Sequence, residues 1–364
     1  MPRSRILYAS EAIFAGPAPA TGFHFTSGNS GVNLVNQLQR IQSAGYGVNI
    51  SRQDVLQYGQ LSPVDRIILQ APTVNLNLDY IVANTYNANT IGFVTDGSSG
   101  CMSNILNQSA DTRNYFIETV PEGSDADYDS TDPDSSRFTI GIGNGYLSSF
   151  SAEAAVGQFA TEKVTIEGLN FATYQGTTGL ASPAVIPASG IRVTNNLFSL
   201  PSGSSGVSGA IPAVRFGDIT VSISNPTFGP LVSDLKIQSY NLSLPLTRQP
   251  IMAMGSPFPV YRPIQFPVHC PLVIEAELGD LQTGDITALL CNDSSYNLTV
   301  TLRKPQCGGN GPVAVQYSMV GAKLDSQNYT SSTTANKKVS LHYSAVIGGP
   351  TDTLHNVNIS GSLI

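Results

Sequence analysis

Residues 41–68 of the chain recur without a gap at residues 237–264, at a constant offset of 196 (237 − 41). Ten of the 28 aligned positions are identical. A chain that carries the same segment twice is most simply two copies of one domain, and both copies must then adopt the same fold. The identical positions are Ile41, Gln42, Ser43, Arg52, Gln53, Gly59, Pro63, Val64, Arg66 and Ile68, each with the same residue 196 positions later.

A second match places the start of each copy. Ile13-Phe14 followed by Pro17 corresponds to Leu197-Phe198 followed by Pro201, at an offset of 184 (197 − 13). The difference of 12 residues (196 − 184) predicts an insertion in the second copy, within the Gly- and Ser-rich stretch 201–209. A connection rich in Gly and Pro follows residue 175. We therefore predict two domains, 1–185 and 186–364, each of ordinary domain size.

The composition and the residue alternation predict a mainly β fold. Only 12% of residues are charged, and 34 Gly and 23 Pro separate short apolar runs. Tyr46, Val48 and Ile50 align with three leucines of the second copy, so the same strand face is apolar in both copies. The prediction is two tandem β-sandwich or barrel domains, each with at most a short helix. The best helical segment is 101–108, with 281–290 as a counterpart.

The intervening positions of these strands are polar, which indicates sheets with one face on a core and the other face wet. Asp79 aligns with Glu275, so an acid occupies the same place in both copies. This wet face either lines a channel or is ordinary solvent-exposed surface. The candidate channel-lining positions are Asn49, Ser51, Asn77, Asp79, Ser243, Thr247 and Glu275.

Long antiparallel strands need their edges closed or paired, because an open edge is a template for association. A ring of three chains would present six similar domains about one axis, and their strands could close one large barrel. Pro245 and Pro263 replace Asn49 and Ile67 of the first copy. Since proline cannot donate to a ladder, we expect incomplete pairing there.

Six segments of the chain carry a family resemblance: 41–50, 66–69, 73–80, 115–123, 143–147 and 164–170. They resemble the tail tube proteins of long-tailed bacteriophages. The resemblance implies a hollow tube of stacked rings in the virion tail, assembled in the bacterial cytoplasm, through which double-stranded DNA passes without specific binding. Most relatives carry one domain and form hexameric rings, so two domains imply trimeric rings with pseudo-sixfold symmetry. The implied partners are the chain itself and the tape measure, terminator and distal tail proteins.

The formal charge of −7 lies in one segment. Seven acids without a base lie between Glu118 and Asp134, so the rest of the chain is neutral (−7 + 7 = 0). We predict a solvated acidic loop over about 118–137, found in the first copy only. Asp125, Asp127 and Asp129 have the spacing that begins a calcium loop, but Ser130 and Ser136 depart from its pattern. A solvated loop and a metal site are the two interpretations.

Four arginines are the charged residues that are identical in the two copies: Arg52, Arg66, Arg248 and Arg262. Their planar guanidinium groups suit carboxylates or strand-end carbonyls of a neighbour. We predict contacts between domains or subunits. The alternatives are salt bridges inside each domain or free surface side chains.

We expect no enzymatic activity, cofactor or metal, because the chain has no nucleophile elbow, zinc-protease helix motif or phosphate-binding loop. The four histidines and four cysteines show no metal-ligand spacing. No apolar run is long enough for a membrane span. Two other functions remain open. One is a distal tail or baseplate ring protein of the same fold, and the other is a receptor- or carbohydrate-binding β-sandwich.

Overall fold

The computed structural model confirms the mainly β fold, with long antiparallel strands and two short helices. It describes residues 6, 11–17, 36–107, 111–122, 126, 138–175, 180–181, 197–198, 213–223, 235–255, 258–259, 261–278, 295–306, 311–333, 335–350, 352 and 354–363. We refer to 11–175 as the first half and to 213–363 as the second half.

The described residues of the first half form ten strands and both helices. The strands are β1 (Glu11–Pro17), β2 (Asn36–Gln37), β3 (Ile41–Asn49), β4 (Gln53–Val55), β5 (Asp65–Ile67), β6 (Thr73–Ile81), β7 (Thr112–Thr119), β8 (Phe138–Ala155), β9 (Thr161–Gly168) and β10 (Asn170–Gln175). The helices are α1 (Tyr86–Ile91) and α2 (Ser103–Leu106).

A small two-stranded sheet separates the halves, formed by β11 (Leu180–Ala181) and β12 (Leu197–Phe198). The second half has a 3-10 turn at Phe216–Asp218 and seven strands. They are β13 (Ile219–Ile223), β14 (Leu235–Pro245), β15 (His269–Leu278), β16 (Tyr296–Arg303), β17 (Val313–Ser332), β18 (Ala335–Val346) and β19 (Asn356–Gly361).

One run of eight hydrogen-bonded strands crosses both halves, and we call it the eight-strand sheet. Its order is β3-β6-β9-β8-β14-β15-β18-β17. The long strands β8 and β17 each continue into a smaller outer sheet. The outer sheet of the first half contains β1, β7 and β10 beside β8, and that of the second half contains β13, β16 and β19 with β17. The two halves share one continuous hydrophobic core.

The hairpin β3·β6 and the hairpin β14·β15 have the same register. In the first, Ala44 pairs with Leu78, and in the second, the residues 196 positions later, Tyr240 and Ile274, pair. Each hairpin has a bulge at its glutamine, Gln42 or Gln238, between the flanking pairs. The side chain of each glutamine donates to the carbonyl two residues earlier, at 3.2 Å in both cases. The matched block therefore forms the same local structure twice.

The hairpins β8·β9 and β17·β18 also correspond, at an offset of 177. Phe150 pairs with Val164, and Gln327 pairs with Leu341. Both hairpins are bulged at the same place, at Ser148 and at Asp325. The sequence comparison did not find this correspondence, because few of the side chains are the same.

The predicted match at offset 184 differs from the strand pairing. Leu197–Phe198 forms β12 and pairs with β11, whereas Ile13–Phe14 lies in β1, which pairs with β7. Strand β13 is instead the equivalent of β1, because β13 pairs with β16 in the same way that β1 pairs with β7. The offset between β1 and β13 is 208 (219 − 11). The stretch between β13 and β14 in the second half is therefore 12 residues shorter than the stretch between β1 and β3 in the first half (208 − 196). The predicted insertion in the second copy is wrong. Two apolar residues followed by a proline are too common a pattern to align strands.

The helices are one and two turns long. The segment predicted as helical at 101–108 contains α2, while its counterpart at 281–290 lies outside the described residues. Helix α1 was not predicted, since six residues are too few to show a helical period. It ends at Gly92, whose positive φ of 118° suits a left-handed C-cap. Neither helix has the length and hydropathy to cross a bilayer, and the described residues contain no other α-helix.

The acidic loop begins later than predicted. Strand β7 runs to Thr119, and Glu118 pairs in register with Ala12 on one side and with Thr139 on the other. Its side chain is buried inside that sheet. Ala126 is also buried, in a small cluster with Phe14 and Phe116. Residues 123–125 and 127–137, including the three aspartates with calcium-loop spacing, lie outside the described residues.

Candidate assembly interface

The two halves are joined edge to edge within the eight-strand sheet. Residues Ser239–Pro245 of β14 pair with Ala155–Ser149 of β8 in an antiparallel register. Backbone bonds extend this pairing at both ends, from Val156 N–H to Gln238 O and from Leu246 N–H to Ser148 O, each at 2.9 Å. We call this strand pairing the junction.

These two bonds show which backbone groups face the junction. The two bonds continue the register of the junction, because the residue numbers of every pair in it sum to 394. Both bonds join even-numbered residues. Because hydrogen-bonded and non-hydrogen-bonded pairs alternate in an antiparallel ladder, the even-numbered residues of β14 direct their N–H and C=O groups toward β8. The odd-numbered residues face β15.

Beyond β14, the described residues of the segment 246–266 (246–255, 258–259 and 261–266) fold against the first half, and we call this region the second arm. Arg248 anchors it. Its Nη2 lies 2.7 Å from Asp111 Oδ1, and its Nε donates to Leu147 O at 2.9 Å. The guanidinium carbon lies 4.9 Å from the centroid of the Tyr146 ring. The Arg248 and Asp111 side chains are only 2% and 7% exposed, so this ion pair is fully desolvated.

Arg262 makes a second contact between the arm and the first half. Its Nη1 donates to Glu167 Oε2 at 3.0 Å, while its backbone carbonyl accepts from Arg248 Nη1 at 2.9 Å. Burial lowers the pKa of Arg262, and the adjacent Glu167 opposes that shift. The two arginines are therefore linked in one network that fixes the second arm to β8 and β9.

The equivalent segment 50–70 of the first half, the first arm, has the same internal structure. Arg52 Nη1 lies 3.5 Å from the carbonyl of Arg66, as Arg248 does from that of Arg262. Gly59 and Gly255, which are equivalent, both have positive φ values, of 87° and 84°. The mini-hairpin β4·β5 is reduced in the second arm to two isolated bridges, in keeping with Pro263.

The first arm differs from the second in that its apolar side chains are exposed in the part of the chain that the structure describes. Leu244 and Leu246 are 2% and 0% exposed, whereas their equivalents Val48 and Ile50 are 43% and 48% exposed. Arg66 pairs with Asp54 at 2.6 Å, but in solvent. Contiguous exposed apolar residues of this extent mark an interaction site. They are Val48, Ile50, Val55, Leu56, Tyr58, Leu61, Val64, Ile67, Ile68 and Leu69.

The two outermost strands of the eight-strand sheet have edges that no described strand occupies. Within the described part of the chain, β3 pairs with β6 alone, and the C-terminal part of β17, residues 323–332, pairs with β18 alone. Strand β3 is the equivalent of β14, and this part of β17 is the equivalent of the part of β8 that receives β14. The chain therefore carries one filled junction and the two unfilled sides of a second one.

A buried carboxyl lies among tyrosines from both halves. Glu162 of β9 is fully buried and accepts a short hydrogen bond from the Tyr317 hydroxyl of β17. Burial raises the pKa of Glu162 to about 7, and the tyrosine hydrogen bonds limit that rise. Burial likewise raises the pKa values of Tyr80 and Tyr240, with the nearby Glu162 charge adding to both shifts.

The variant Glu162→Gln should be more stable than the wild type at alkaline pH. A carboxyl whose pKa rises on folding from 4.5 to about 7 contributes stability that is fully present below pH 4.5 and is lost as the pH rises through 7. Glutamine does not ionise and can still accept from Tyr317. We expect its advantage to grow between these values and to level off at about 3 kcal/mol, measured by urea unfolding at several pH values.

The exposed Glu153 provides the matched control. Its replacement by glutamine should give no comparable gain, because that carboxyl pairs with Lys163 on a solvent-exposed face. An advantage of Glu162→Gln that is the same at pH 4.5 and pH 8 would contradict the assignment of the buried proton.

One side of the eight-strand sheet is polar across both halves. Residues paired across neighbouring strands point to the same side of a sheet, which places the polar residues of β6, β9, β8 and β14 on one face. That face carries more acids than bases among the described residues. One row of paired residues is Ser43, Asp79, Lys163, Ser151 and Ser243, and the next contains Thr161, Glu153, Asn241, Val273 and His342. The charged residues of its strands are the five acids Asp79, Glu153, Glu167, Glu275 and Glu277 and the four bases Lys163, Lys236, Lys323 and Lys338.

Most residues selected from the sequence lie in one of two places. Asn77, Asp79, Ser243 and Glu275 lie on the polar face, with Asn49 at the end of β3. Ser51 and Thr247 follow β3 and β14 and are exposed. Arg248 and Arg262 join the two halves, while Arg52 and Arg66 lie in the bare first arm. Cys101 and Cys270 are free and buried, and Cys291 and Cys307 lie outside the described residues.

Two residues of the interface were missed. Glu162 occupies the apolar phase of β9, ahead of Val164 and Ile166, and an acid in that phase was a signal of a buried carboxyl. Asp111 precedes β7 and shows no pattern in the sequence. Its importance follows only from the approach of Arg248, which is 137 residues away along the chain.

Comparisons with known proteins were made for the sequence and for the fold. No protein-family model matches the chain, and no curated protein matches it. A chain from a solved structure titled "Cryo-EM structure of the anti-feeding prophage (AFP) baseplate, 6-fold symmetrised" is similar, with a TM-score of 0.27 and 12% identity. The alignment covers 39% of this chain and 91% of that chain. The function is therefore inferred from the strand edges and arms.

Proposed function

We propose that the chain is a structural protein of a bacteriophage tail that polymerises through its sheet edges into stacked rings forming the tail tube. The observation that carries the proposal is the filled junction between β8 and β14 beside the unfilled, equivalent edges of β3 and β17. An edge that is open in the isolated chain and already paired in its internal equivalent has an obvious occupant, which is another chain.

The register of the pairing between chains follows from the junction. Leu242 pairs with Ala152 in the junction. The equivalent of Leu242 in β3 is Tyr46 (242 − 196), and the equivalent of Ala152 in β17 is Tyr329 (152 + 177). Tyr46 should therefore lie opposite Tyr329 of the next chain. The same arithmetic places Val48 opposite Gln327. The first arm would then cover the neighbour's β17 and β18 as the second arm covers β8 and β9.

Three chains are the expected stoichiometry. The sequence resembles tail tube proteins, most of which form hexameric rings from single domains, and each chain here supplies two equivalent sets of four strands. Three chains would supply 24 strands (3 × 8) to one closed barrel, which would leave no edge open. Each chain would contribute one junction within itself and one shared with its neighbour.

The tips of both arms support stacking of the rings. Met254 is fully exposed although the second arm already has its lateral neighbour, and Ile251 and Met252 remain about half exposed. The equivalent Tyr58 is fully exposed as well. The second arm already packs against the first half, and its apolar tip is still exposed. The tips are therefore available for contact with a ring above or below.

The polar face would line the bore. Its serines, threonines and asparagines offer no continuous row of bases, and its acids outnumber its lysines. Such a wall would repel or ignore a phosphate backbone, which lets duplex DNA pass without being held. The proposed location is the virion tail, with the tape measure, terminator and distal tail proteins as neighbours.

Electron microscopy and sedimentation of the purified chain test this proposal. Tubes built of trimeric rings support it. Single rings that never stack would favour a distal tail or baseplate ring protein, and monomers at all concentrations would favour a receptor- or carbohydrate-binding module.

Polar substitution of the arm tips should separate ring formation from stacking. In the triple variant Tyr58→Ser, Met252→Ser and Met254→Ser, we expect rings to form and tubes to be absent, because the lateral contacts are retained. A variant with three substitutions on the polar face, such as Asn75→Ser, Asn77→Ser and Asn241→Ser, is the control and should form tubes. Normal tubes from the tip variant would contradict the role of the tips.

A further inference from the structure

We propose that the contact between chains is specified by two ion pairs that have no counterpart in the junction inside the chain. These pairs are Asp65 with Lys323 of the neighbouring chain, and Arg52 with Asp325 of the neighbouring chain. The inference rests on the proposed ring, in which β3 of one chain pairs with β17 of the next. It adds the chemistry that selects this partner.

The first pair follows from the surroundings of Tyr146. In the junction, Arg248 links the two sites: its guanidinium lies over the Tyr146 ring, and its Nη1 donates to the carbonyl of Arg262, the residue that follows Tyr261. At the contact between chains, the equivalent of Tyr146 is Lys323 (146 + 177), and the equivalent of Tyr261 is Asp65 (261 − 196). Two tyrosines on opposite sides of the junction are thus replaced by a base and an acid.

The second pair follows from the bulge of β8. Ser148 is the bulged residue, and its carbonyl accepts from Leu246, two residues before Arg248. Its equivalent in β17 is the exposed residue Asp325, and Arg52 is the equivalent of Arg248. Because Arg248 Nε donates to the carbonyl of Leu147, which directly precedes Ser148, Asp325 would bring a carboxylate next to the carbonyl that receives Arg52.

These replacements compensate for what the contact between chains lacks. Inside the chain, the buried Asp111 neutralises Arg248. Strand β16 corresponds to β7 at an offset of 183 (302 − 119), so the residue equivalent to Asp111 is Ser294, which has no charge and lies outside the described residues. Charges on opposite sides of an exposed contact steer association and suppress wrong partners more than they add affinity. The permanent junction can thus use buried groups, and the contact formed in solution uses exposed charges.

A charge-swap experiment on the full chain tests the inference. Asp65→Lys and Lys323→Asp, made separately, should each weaken trimer formation at least about tenfold in sedimentation velocity, because like charges would then face each other. The double variant Asp65→Lys with Lys323→Asp restores opposite charges at every contact and should recover most of the association. Lys338→Asp, which alters the polar face outside the contact, is the control.

The outcomes separate this inference from the proposed function. If the wild type forms rings and the double variant associates no better than the single variants, the ion pair is wrong while the ring remains. If the wild type stays monomeric, the proposed function fails and the inference fails with it. Thermal unfolding of each unassembled variant, expected to match the wild type for Asp65→Lys, distinguishes lost association from misfolding. Arg52→Asp with Asp325→Arg tests the second pair in the same way.

Discussion

The variant Val48→Pro should fold as a monomer and fail to form rings. In the junction, the even-numbered residues of β14 direct their N–H groups to β8, and Val48 is the equivalent of Leu244. Its N–H therefore faces the open edge of β3. Proline at an edge position costs a folded chain little, since no bond inside the chain is lost. At the contact between chains it removes one donor and leaves a buried carbonyl unsatisfied, which costs about 1–3 kcal/mol per contact.

Val48→Ala is the matched control, because alanine removes similar apolar surface and keeps the N–H group. Sedimentation at matched concentrations should show rings for alanine and monomers for proline, with similar circular dichroism for both monomers. Tyr329→Pro and Tyr329→Ala repeat the comparison on the β17 edge. Rings from Val48→Pro at wild-type concentrations would show that β3 does not pair with another chain.

The sequence was most informative where the alternation of apolar and polar residues was strong. The block 41–68 and its repeat determine the register of β3·β6 and β14·β15, down to the bulge at Gln42 and Gln238. This follows because burying one face penalises any slip by one residue. The same alternation located the polar positions Asn77, Asp79 and Glu275 on a shared face.

The sequence was less informative where pairing depends on backbone geometry. The bulges at Ser148 and Asp325 are equivalent, yet the two residues have nothing in common chemically. Asn144 and Gly321 are also equivalent and share a positive φ, of 50° and 71°, which asparagine and glycine tolerate best. In each case a side chain, Asn114 or Asn297, accepts from the backbone N–H of that residue. The same backbone conformation is thus found in both halves although most of the surrounding residue types differ.

The four repeated arginines show why identical residues can have different surroundings. The sequence suggested one role for all four, but among the described residues Arg248 and Arg262 contact the other half of the chain, whereas Arg52 and Arg66 have contacts only within their own arm. In the proposed ring, a second molecule would supply the surroundings of Arg52 and Arg66. This difference could not be predicted from a single sequence, because it reflects the connection of the two halves and not the local residues.

Arg248→Ala should be among the most destabilising single substitutions in the chain. It would leave the Asp111 carboxylate, which is 7% exposed, without its partner, and would remove the bond to Leu147 O and the stacking on Tyr146. Removing one member of a buried ion pair costs about 3–5 kcal/mol, because the remaining charge stays desolvated. Urea unfolding of the unassembled chain should show this as a lower midpoint, and the additional change Asp111→Asn should recover part of the loss.

Arg52→Ala is the control at the equivalent position of the first arm. Since Arg52 is exposed and its side chain makes one long hydrogen bond, to Arg66 O, among the described residues, its removal should change the unfolding free energy by less than about 0.5 kcal/mol. The same variant should nevertheless weaken association between chains, where Arg52 would take the place of Arg248. Equal loss of stability from the two substitutions would mean that the second arm does not hold the halves together through its arginine. If one junction is filled and the other is unfilled, Arg248→Ala should destabilise the chain far more than Arg52→Ala does. Arg52→Ala should instead weaken the association between chains.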